Sequence, residues 1–455
     1  ITPELIANNP QTISNIRLWD HRPLLDVYNQ QQFLRLYYKF FDVDVDRYMI
    51  NGQYRQVMLS ARELDPDNLP ADAQRWINRK LQYTHGYGAV VSPVTEFTAD
   101  GKPVFLLKDI PPTATSDGLA LERPEVYYGE NTKDYVIVNT LTEELDHHPP
   151  EGQPVYSRYQ GQGGVVLSSF LRRLAYAWQM GDLNILISGQ ITSESLIQYR
   201  RTVQDRIRTI APFLLLDPDP YLVIADGRLW WMQDAYTVVD TYPYSTPTGG
   251  INYIRNSVKI VMDPYDGKVN FYVFEPGDPV LRIYQEAFPG LFRSKEEMPP
   301  SLRSHVRYPE QLFLVQSRLY LNYHMTDPRV YFNREDQWAI PQETFFGKTQ
   351  TVEPYYLIMK LPGETEEEFV LILPFTPANR PNLVAWLAAR SDEPHYGEVK
   401  AYLFPKGSQV DGPSQVEARI DNDTFISQQF TLWGQAGSEV IRGHLLVIPI
   451  ENTVI

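Results

Sequence analysis

The sequence contains no cysteine, and this absence excludes several kinds of site. Disulfides, thiolate metal centres, iron–sulfur clusters and cysteine nucleophiles all need a sulfhydryl group. None of these chemistries is available to the 455 residues. Whether the protein lies in a reducing or an oxidising compartment does not follow from the sequence, because only cysteines would be informative about it.

Basic residues are outnumbered by acidic ones. The chain has 41 Lys and Arg against 56 Asp and Glu, which gives a formal net charge of −15. Nucleic acids are held by clustered cations that release counterions, and an acidic surface repels a polyanion. The charge balance therefore argues against a nucleic-acid partner.

Long hydrophobic runs are also missing. The longest apolar stretches, at 369–375 and 445–450, have the length of strands, whereas crossing a bilayer takes about 20 residues. The sequence begins at Ile1 without a Met or a signal-peptide pattern and ends on a strand-like segment at 445–455. We therefore expect these residues to be a piece of a longer protein, with no membrane span of their own.

Four two-residue turns with Gly in second place are the strongest local signals of structure. Asn or Asp followed by Gly accepts the positive φ angles of a type I′ turn, which joins antiparallel strands. The turns are Asn51-Gly52, Asp100-Gly101, Asp226-Gly227 and Asp266-Gly267. Their arms predict strands at 55–59, 104–107, 229–232 and 269–274, and further strands are predicted at 135–139, 355–361, 368–374 and 397–404.

Apolar residues spaced by three and four positions predict helices between these hairpins. The predicted helices cover 23–40, 71–83, 168–180, 193–213, 279–288, 309–325, 380–390 and 414–433. Strands and helices that do not alternate regularly predict an α+β fold with mostly antiparallel sheets. Loop-like composition at 140–164 and 341–354 predicts units at 1–145, 155–340 and 353–455, although long loops within one domain would give the same pattern.

Carboxylates at alternate positions in Asp42-Val-Asp44-Val-Asp46 suggest a cation site, with calcium as the ion. The segment fails the EF-hand pattern, because Arg47 stands where Gly is needed and Gln53 where Glu is needed. In a strand these three carboxylates would share one face. The alternative is a solvated strand face paired with nearby arginines. No other cofactor is predicted.

The densest aromatic feature includes Trp230, Trp231, Asp234 and Tyr236. Adjacent residues of a strand face opposite ways, so at least one Trp would be exposed or covered by another layer. These four residues are candidate ligand-binding residues, as a platform for sugar rings or for a partner protein. Core packing is the alternative explanation.

His85 lies between two aromatics and two glycines in Thr84-His85-Gly86-Tyr87-Gly88, which permits close approach of a ligand or of another chain segment. It is a further binding candidate, with structural packing as the alternative. The glycine-rich segment 161–164 lacks the dinucleotide-binding pattern, and no Walker A or nucleophile-elbow motif is present. Catalytic residues are not identified.

Long motifs that are specific to one family span nearly the whole chain. They include Asn15-Ile-Arg-Leu-Trp-Asp20, Asp42-Val-Asp-Val-Asp-Arg-Tyr48, Tyr83-Thr-His-Gly-Tyr-Gly88, Gly181-Asp-Leu-Asn-Ile-Leu186, Asn252-Tyr-Ile-Arg-Asn-Ser257, Tyr323-His-Met-Thr-Asp327 and Trp386-Leu-Ala-Ala-Arg-Ser391. In these motifs the chain resembles Uncharacterised Protein Family 0182, a group of bacterial multi-pass membrane proteins.

The resemblance implies that this chain is the long soluble region of such a protein, outside the cytoplasmic membrane and tethered by transmembrane helices beyond this sequence. It implies no catalytic residues. We therefore expect a binding or interaction module at the cell envelope, whose partner is an envelope component or a protein. The alternative is a hydrolase of envelope polysaccharide that uses paired carboxylates beside an aromatic platform. A structural spacer for the membrane bundle is a third reading.

Overall fold

The computed structural model describes residues 2–32, 34–345, 347–405, 407, 409–435, 437–438, 440–450 and 453–454. They form an α+β fold with many short antiparallel sheets, which confirms the predicted fold class. The chain groups into a larger unit, Leu24–Gly52 and Val57–Arg303, and a smaller unit, Ile1–Pro23, Gln53–Gln56 and Ser304–Ile455. The three units proposed from composition stay a prediction.

The larger unit contains a six-stranded sheet, here called the central sheet. Its neighbouring strands are antiparallel except for the last pair, which is parallel. The turn at Asp226-Gly227 has φ angles of 52° and 70°, so the predicted type I′ hairpin is confirmed. The strands are Leu215–Leu216, Tyr221–Ala225, Arg228–Val239, Tyr253–Met262, Val269–Val273 and Phe292–Ser294.

A second sheet, here called the N-terminal sheet, has five strands in a simple order along the chain. Its first turn, Asn51-Gly52, has φ angles of 52° and 78° and again matches the predicted hairpin. The strands are Asp44–Ile50, Gln53–Ala61, Ala89–Pro93, Leu107–Lys108 and Thr113–Ala114.

One hydrophobic core receives side chains from both of these sheets. Val57, Leu59 and Val91 of the N-terminal sheet join Ile224 and Ile260 of the central sheet, and none is more than 2% exposed. Burying a side chain of this size contributes about 1.5–3 kcal/mol relative to leaving it in water. Val57 and Leu59 lie two positions apart in their strand, so both side chains are on the face that meets this core.

Helices of the larger unit are short, and Phe170–Met180 has the caps that its sequence signals. In Phe170–Met180, the Ser169 side chain accepts from the backbone N–H of Arg172, and Gly181 ends the helix with φ 65°. The α-helices are His21–Gln31, whose first turn belongs to the smaller unit, Phe170–Met180, Asn184–Ile187, Val203–Ile210, Pro279–Ala287 and Pro300–Arg303. Short 3₁₀ turns lie at Pro66–Asn68, Ala71–Ala73, Asp117–Leu119 and Lys295–Glu297, and a π-helical turn at Asn78–Gln82.

Several small sheets complete the larger unit. They are two- and three-stranded and antiparallel. They pair Tyr38–Lys39 with Glu63–Leu64, Gly86–Tyr87 with Glu125–Val126, Glu144–His147 with Val155–Ser157, and Leu196–Gln198 with both Val136–Val138 and Val165–Val166.

The smaller unit is centred on a five-stranded antiparallel sheet. Its strands are Trp338–Ala339, Tyr355–Lys360, Glu367–Pro377, Ala385–Arg390 and Val399–Leu403. Further strand pairs join Gln342–Phe345 to Lys348–Thr351 and Pro449–Ile450 to Thr453–Val454. Its α-helices are Pro3–Asn8, Pro10–Ser14, Glu310–Tyr323, Pro328–Asn333, Pro413–Asn422 and Thr424–Trp433.

Two predicted helices are wrong over part of their length. Residues 380–390 are predicted helical, yet Ala385–Arg390 is a strand between Glu367–Pro377 and Val399–Leu403, and all six of its residues are buried. Residues 193–213 contain the strand Leu196–Gln198 before the helix Val203–Ile210. In both places pairing with neighbouring strands overrides a helix-like sequence pattern.

Smaller differences concern lengths. The helix predicted at 23–40 ends at Gln31, and the segment 71–83 forms only separate 3₁₀ and π-helical turns. The strand predicted at 104–107 contributes only its last residue to Leu107–Lys108. Among the described residues, no helix has the length and apolar content needed to cross a bilayer.

Candidate functional site

A cleft of about 250 Å³ lies on the larger unit, beside the strand Glu63–Leu64 and the π-helical turn Asn78–Gln82. Charged groups of both signs line it, so the cleft suits a polar ligand. The charged residues are Lys39, Arg79, Lys133 and Arg201, with Asp65, Asp67 and Asp134.

Arg201 gives the cleft a buried positive charge. The side chain is 1% exposed, and its guanidinium donates to the carbonyl oxygens of Tyr127 at 2.7 Å, of Asp134 at 3.0 Å, and of Thr84. Burial lowers the pKa of Arg201 to about 10, so the group stays charged at neutral pH. The carbonyl oxygens satisfy its donors without cancelling its charge.

The rim of the cleft is partly neutralised. The Arg79 guanidinium lies 2.8 Å from the Asp67 carboxylate and 3.1 Å from that of Asp134. Lys39 and Lys133 are exposed and form no ion pair with any residue in the described part of the chain. Their ammonium groups are therefore available to an anionic ligand.

The loop on one side of the cleft is held by Glu63. The buried carboxylate accepts from the backbone N–H groups of Glu130 at 2.7 Å and Asn131 at 3.0 Å, and from the Thr132 hydroxyl at 2.7 Å. Gly129 is needed here, because a Cβ atom at this position would lie 2.3 Å from a Glu63 carboxylate oxygen. Burial raises the pKa of Glu63. The Glu63 side chain thus fixes the backbone path of residues 129–132.

An acidic cluster adjoins the cleft in sequence. Asp42 follows the cleft residue Phe41, and Glu130 precedes the cleft residue Asn131. Asp42, Asp44 and Asp219 each offer a carboxylate oxygen, and these oxygens lie within 4.8 Å of one another. Oxygens of this type are the ligands that Ca²⁺ and Mg²⁺ prefer. The three residues could hold such an ion.

Glu130 faces the same cluster. Burial, followed by the charges of Asp44 and Asp42, raises the pKa of Glu130 well above its usual value. A cation bound to the cluster would lower this pKa again, because it would stabilise the ionised carboxylate.

The structure brings together two of the three predicted metal ligands. Asp42 and Asp44 join Asp219, whereas Asp46 lies 3.3 Å from the Arg47 guanidinium. Asp44 and Asp46 are buried, so they do not form a solvated strand face. Asp44 also accepts from the backbone N–H of Leu222 at 2.9 Å. The calcium site stays a prediction, now with Asp219 in place of Asp46.

The Trp-rich segment lies in the strand Arg228–Val239. Trp231 is buried and its indole N–H donates to the Tyr128 carbonyl at 2.9 Å. Trp230 is half-buried, with its indole N–H 3.3 Å from the Ala225 carbonyl and the Arg228 guanidinium 5.2 Å from its ring. The two rings thus face different layers, as adjacent strand residues must.

Asp234 and Tyr236 take part in a buried polar network. The Asp234 carboxylate pairs with the Lys259 ammonium, and the Tyr236 hydroxyl donates to the Asp217 carboxylate. Burial, followed by the charge of Asp234, raises the pKa of Asp217 to about 6. These contacts correspond to the packing alternative, and a ligand platform at Trp230, Trp231, Asp234 and Tyr236 stays a prediction.

His85 is buried among aromatic and polar groups. Its Nδ1 lies 2.9 Å from the Thr84 hydroxyl, and its ring centroid lies 4.5 Å from that of Tyr127. Burial lowers the pKa of His85 to about 4, so the imidazole is neutral at pH 7. Gly86 packs tightly, since a Cβ atom there would lie 2.2 Å from the Arg62 carbonyl oxygen. The glycines next to His85 therefore serve the packing of the chain.

Sequence reasoning missed Glu63, Glu130 and Arg201. No local pattern marks them, because they meet only after strands distant in sequence have paired. Asp219 belongs to Asp217-Pro218-Asp219, a segment whose composition indicates only a turn.

Comparison with known proteins identifies relatives that align with nearly the whole chain at about 50% identity. The profile of the Uncharacterised protein family (UPF0182) matches residues 1–433. A UPF0182 protein of Pelotomaculum thermopropionicum is 52% identical over 457 residues, which cover 100% of this chain and 50% of the relative. A UPF0182 protein of Methanospirillum hungatei is 52% identical over 462 residues, with 100% and 51% covered, and one of Trichodesmium erythraeum is 49% identical over 471 residues, with 99% and 51% covered.

The chain thus spans about half the length of the curated relatives it matches. No solved structure matches it significantly.

Proposed function

The chain belongs to the uncharacterised protein family UPF0182, and we propose that it is the extracytoplasmic part of a membrane protein and acts by binding. The family resemblance implies a bundle of transmembrane helices joined to a long soluble region. Because the chain spans about half of its relatives, the proposal assigns the transmembrane helices to the other half. The binding partner is a component of the cell envelope.

The observation that carries the binding proposal is the buried guanidinium of Arg201 in the cleft. Desolvating a charge costs free energy, and the described partners of the Arg201 guanidinium are carbonyl oxygens, so no bonded carboxylate neutralises its charge. The exposed ammonium groups of Lys39 and Lys133 lie on the same cleft. We propose that the cleft binds a small polar ligand with an anionic group.

Native mass spectrometry can test this binding. The purified 455-residue chain is incubated with a small-molecule extract of the cell envelope, and bound masses are recorded. We expect an adduct that Lys133→Ala weakens by about tenfold, the loss of one charge-assisted contact. Lys102→Ala, an exposed lysine outside the cleft, is the control. Absence of any adduct, or equal loss in both variants, would refute the proposal.

The location can be tested with single cysteines, because the chain itself has none. Full-length protein, with cysteines outside this chain replaced, receives Tyr244→Cys at a fully exposed position or Ala235→Cys at a buried one. We expect a membrane-impermeant maleimide to label the first variant in intact cells and the second only after denaturation. Labelling of Tyr244→Cys only after lysis would contradict the extracytoplasmic location.

The hydrolase alternative has less support. A polysaccharide platform needs an exposed aromatic face beside free carboxylates. Trp231 is 1% exposed, and Asp234 is paired with buried Lys259. Both observations count against hydrolysis at this strand.

A further inference from the structure

A second pocket, of about 230 Å³, lies on the larger unit and is separate from the cleft. It is formed by the helix Val203–Ile210, the glycine-rich segment that ends at Gly164, and the side chain of Tyr128. Arg200 and Arg206 supply its charge, and Val165 and Ile210 supply apolar surface. The proposed function does not use this pocket.

Neither arginine of the pocket forms an ion pair with a residue in the described ranges. The Arg206 guanidinium donates to the carbonyl oxygens of Gly267 at 2.5 Å and Tyr199 at 3.4 Å. It also lies 4.7 Å from the centroid of the Tyr128 ring. Arg200 donates to the Thr209 hydroxyl. Two positive charges therefore converge on one small pocket of a chain whose net charge is −15, which creates a local attraction for anions.

The Tyr128 hydroxyl is the second observation that indicates a ligand. Tyr128 is fully buried, and its hydroxyl has no hydrogen-bond partner among the described residues. A buried donor without a partner costs free energy, so such groups are rare unless a bound molecule satisfies them. The ring cannot easily move away, because it packs directly on Gly267, where a Cβ atom would lie 2.6 Å from the ring.

Hydrogen bonds from neutral donors hold the nearby carboxylate of Asp266 in place. Asp266, whose charge raises the pKa of Tyr128, accepts from the Tyr159 hydroxyl at 2.5 Å and from the backbone N–H of Gln162 at 3.0 Å.

The backbone of Arg200 has φ 50°, a conformation that is uncommon for residues with a side chain. Strained backbone of this kind is concentrated at functional sites.

We infer that this pocket binds a small organic oxyanion. Its oxygens accept from the guanidinium groups of Arg200 and Arg206 and from the Tyr128 hydroxyl, and its apolar part contacts Val165 and Ile210. Carboxylates and phosphate groups share this acceptor chemistry. The segment 161–164, which does not fit a dinucleotide loop, thereby gains a role as one wall of an anion pocket.

Calorimetric titration of the 455-residue chain with benzoate and, separately, with inorganic phosphate tests the inference. We expect at least one probe to bind, and its identity separates a carboxylate from a phosphate ligand. Arg200→Gln should weaken that binding about tenfold, as expected for one charge-assisted contact. Arg208→Gln is the control, because Arg208 is exposed on the helix Val203–Ile210 that forms the pocket and bonds to Gln204 outside the pocket. It should change the affinity less than about twofold.

Tyr128→Phe separates binding from folding. Removal of a hydroxyl without a partner should leave the unfolding midpoint unchanged or raise it, while the affinity for the probe falls several-fold. The inference is overturned if neither probe binds below about 10 mM. It is also overturned if Arg200→Gln and Arg208→Gln weaken binding equally, since that result would reflect only general charge, or if Tyr128→Phe leaves the affinity unchanged. Variants at Lys133 leave this pocket intact, so failure of the cleft proposal is measured independently.

Discussion

At the scale of single residues, the protein keeps several charged groups away from water. Arg62, Arg201, Arg390 and Lys259 are each at most 1% exposed. Lys259 and Arg390 have carboxylate partners, whereas Arg62 and Arg201 donate mainly to carbonyl oxygens. Removing one partner of such a pair would leave an uncompensated buried charge. These residues therefore respond sharply to substitution.

Asp217 should make stability depend on pH. Its pKa rises from 3.8 to about 6 on folding, so the folded protein binds this proton more tightly than the unfolded chain. The resulting stability, at most about 3 kcal/mol, is complete below about pH 4 and is lost as pH rises through 6. We expect Asp217→Asn to have a flatter dependence of melting temperature on pH between 4 and 7.

The control for this prediction is Asp205→Asn, at an exposed position. Its pH profile should run parallel to that of the unchanged protein. If the pH profile of Asp217→Asn also ran parallel, the pH-dependent stability would have to be assigned to another titratable group.

The acidic cluster should respond to calcium. An ion that binds only the folded state at 100 times its dissociation constant stabilises it by about 2.7 kcal/mol. We expect excess Ca²⁺ to raise the melting temperature, and Asp219→Asn to remove most of this rise. Asp117→Asn, at an exposed position, should keep it. An unchanged melting temperature in calcium would dispose of the site.

At the scale of elements, the sequence predicted much of what is local, although Asp100 and Asp266 do not have the positive φ of the type I′ turns predicted there. The hairpins at Asn51-Gly52 and Asp226-Gly227 follow from turn residues that accept positive φ, and helix Phe170–Met180 follows from its caps. The strand Ala385–Arg390 was missed because its conformation depends on two neighbouring strands.

The same distinction applies to the candidate site. Asp42 and Asp44 are visible in one motif, whereas Asp219 and Glu130 come from separate parts of the chain. No sequence motif marks Arg201 or Arg200 either, since the role of each depends on which cavity its side chain lines.

Glu63 should stabilise the loop 129–132 beside the cleft. Glu63→Gln replaces one acceptor oxygen by a donor, which opposes the N–H groups that point at it. We expect a loss of about 1–3 kcal/mol in the free energy of unfolding, together with weaker binding in the cleft. Urea unfolding measures the first effect and native mass spectrometry the second. Glu122→Gln, an exposed position, should change neither, and retained cleft binding in Glu63→Gln would contradict this role for the loop.

At the scale of the whole molecule, the two units differ in how many chain segments they need. A chain that ends at Arg303 retains all of the larger unit, so we expect it to unfold cooperatively in urea. Residues 304–455 alone lack Asn15, which donates to the Tyr54 carbonyl, and Gln56, which donates to that of Tyr356. We expect this fragment not to unfold cooperatively. A sharp urea transition in residues 304–455 would contradict the assignment of the short segments to this unit.

The discontinuous smaller unit also has a consequence during synthesis. Its helix Pro10–Ser14 leaves the ribosome long before its sheet partner Tyr355–Lys360. At 5–20 residues per second, the wait for about 340 residues lasts roughly 17–70 s. During that time this helix lacks its strand partner, and a chaperone or translocation factor has a defined interval in which to hold it.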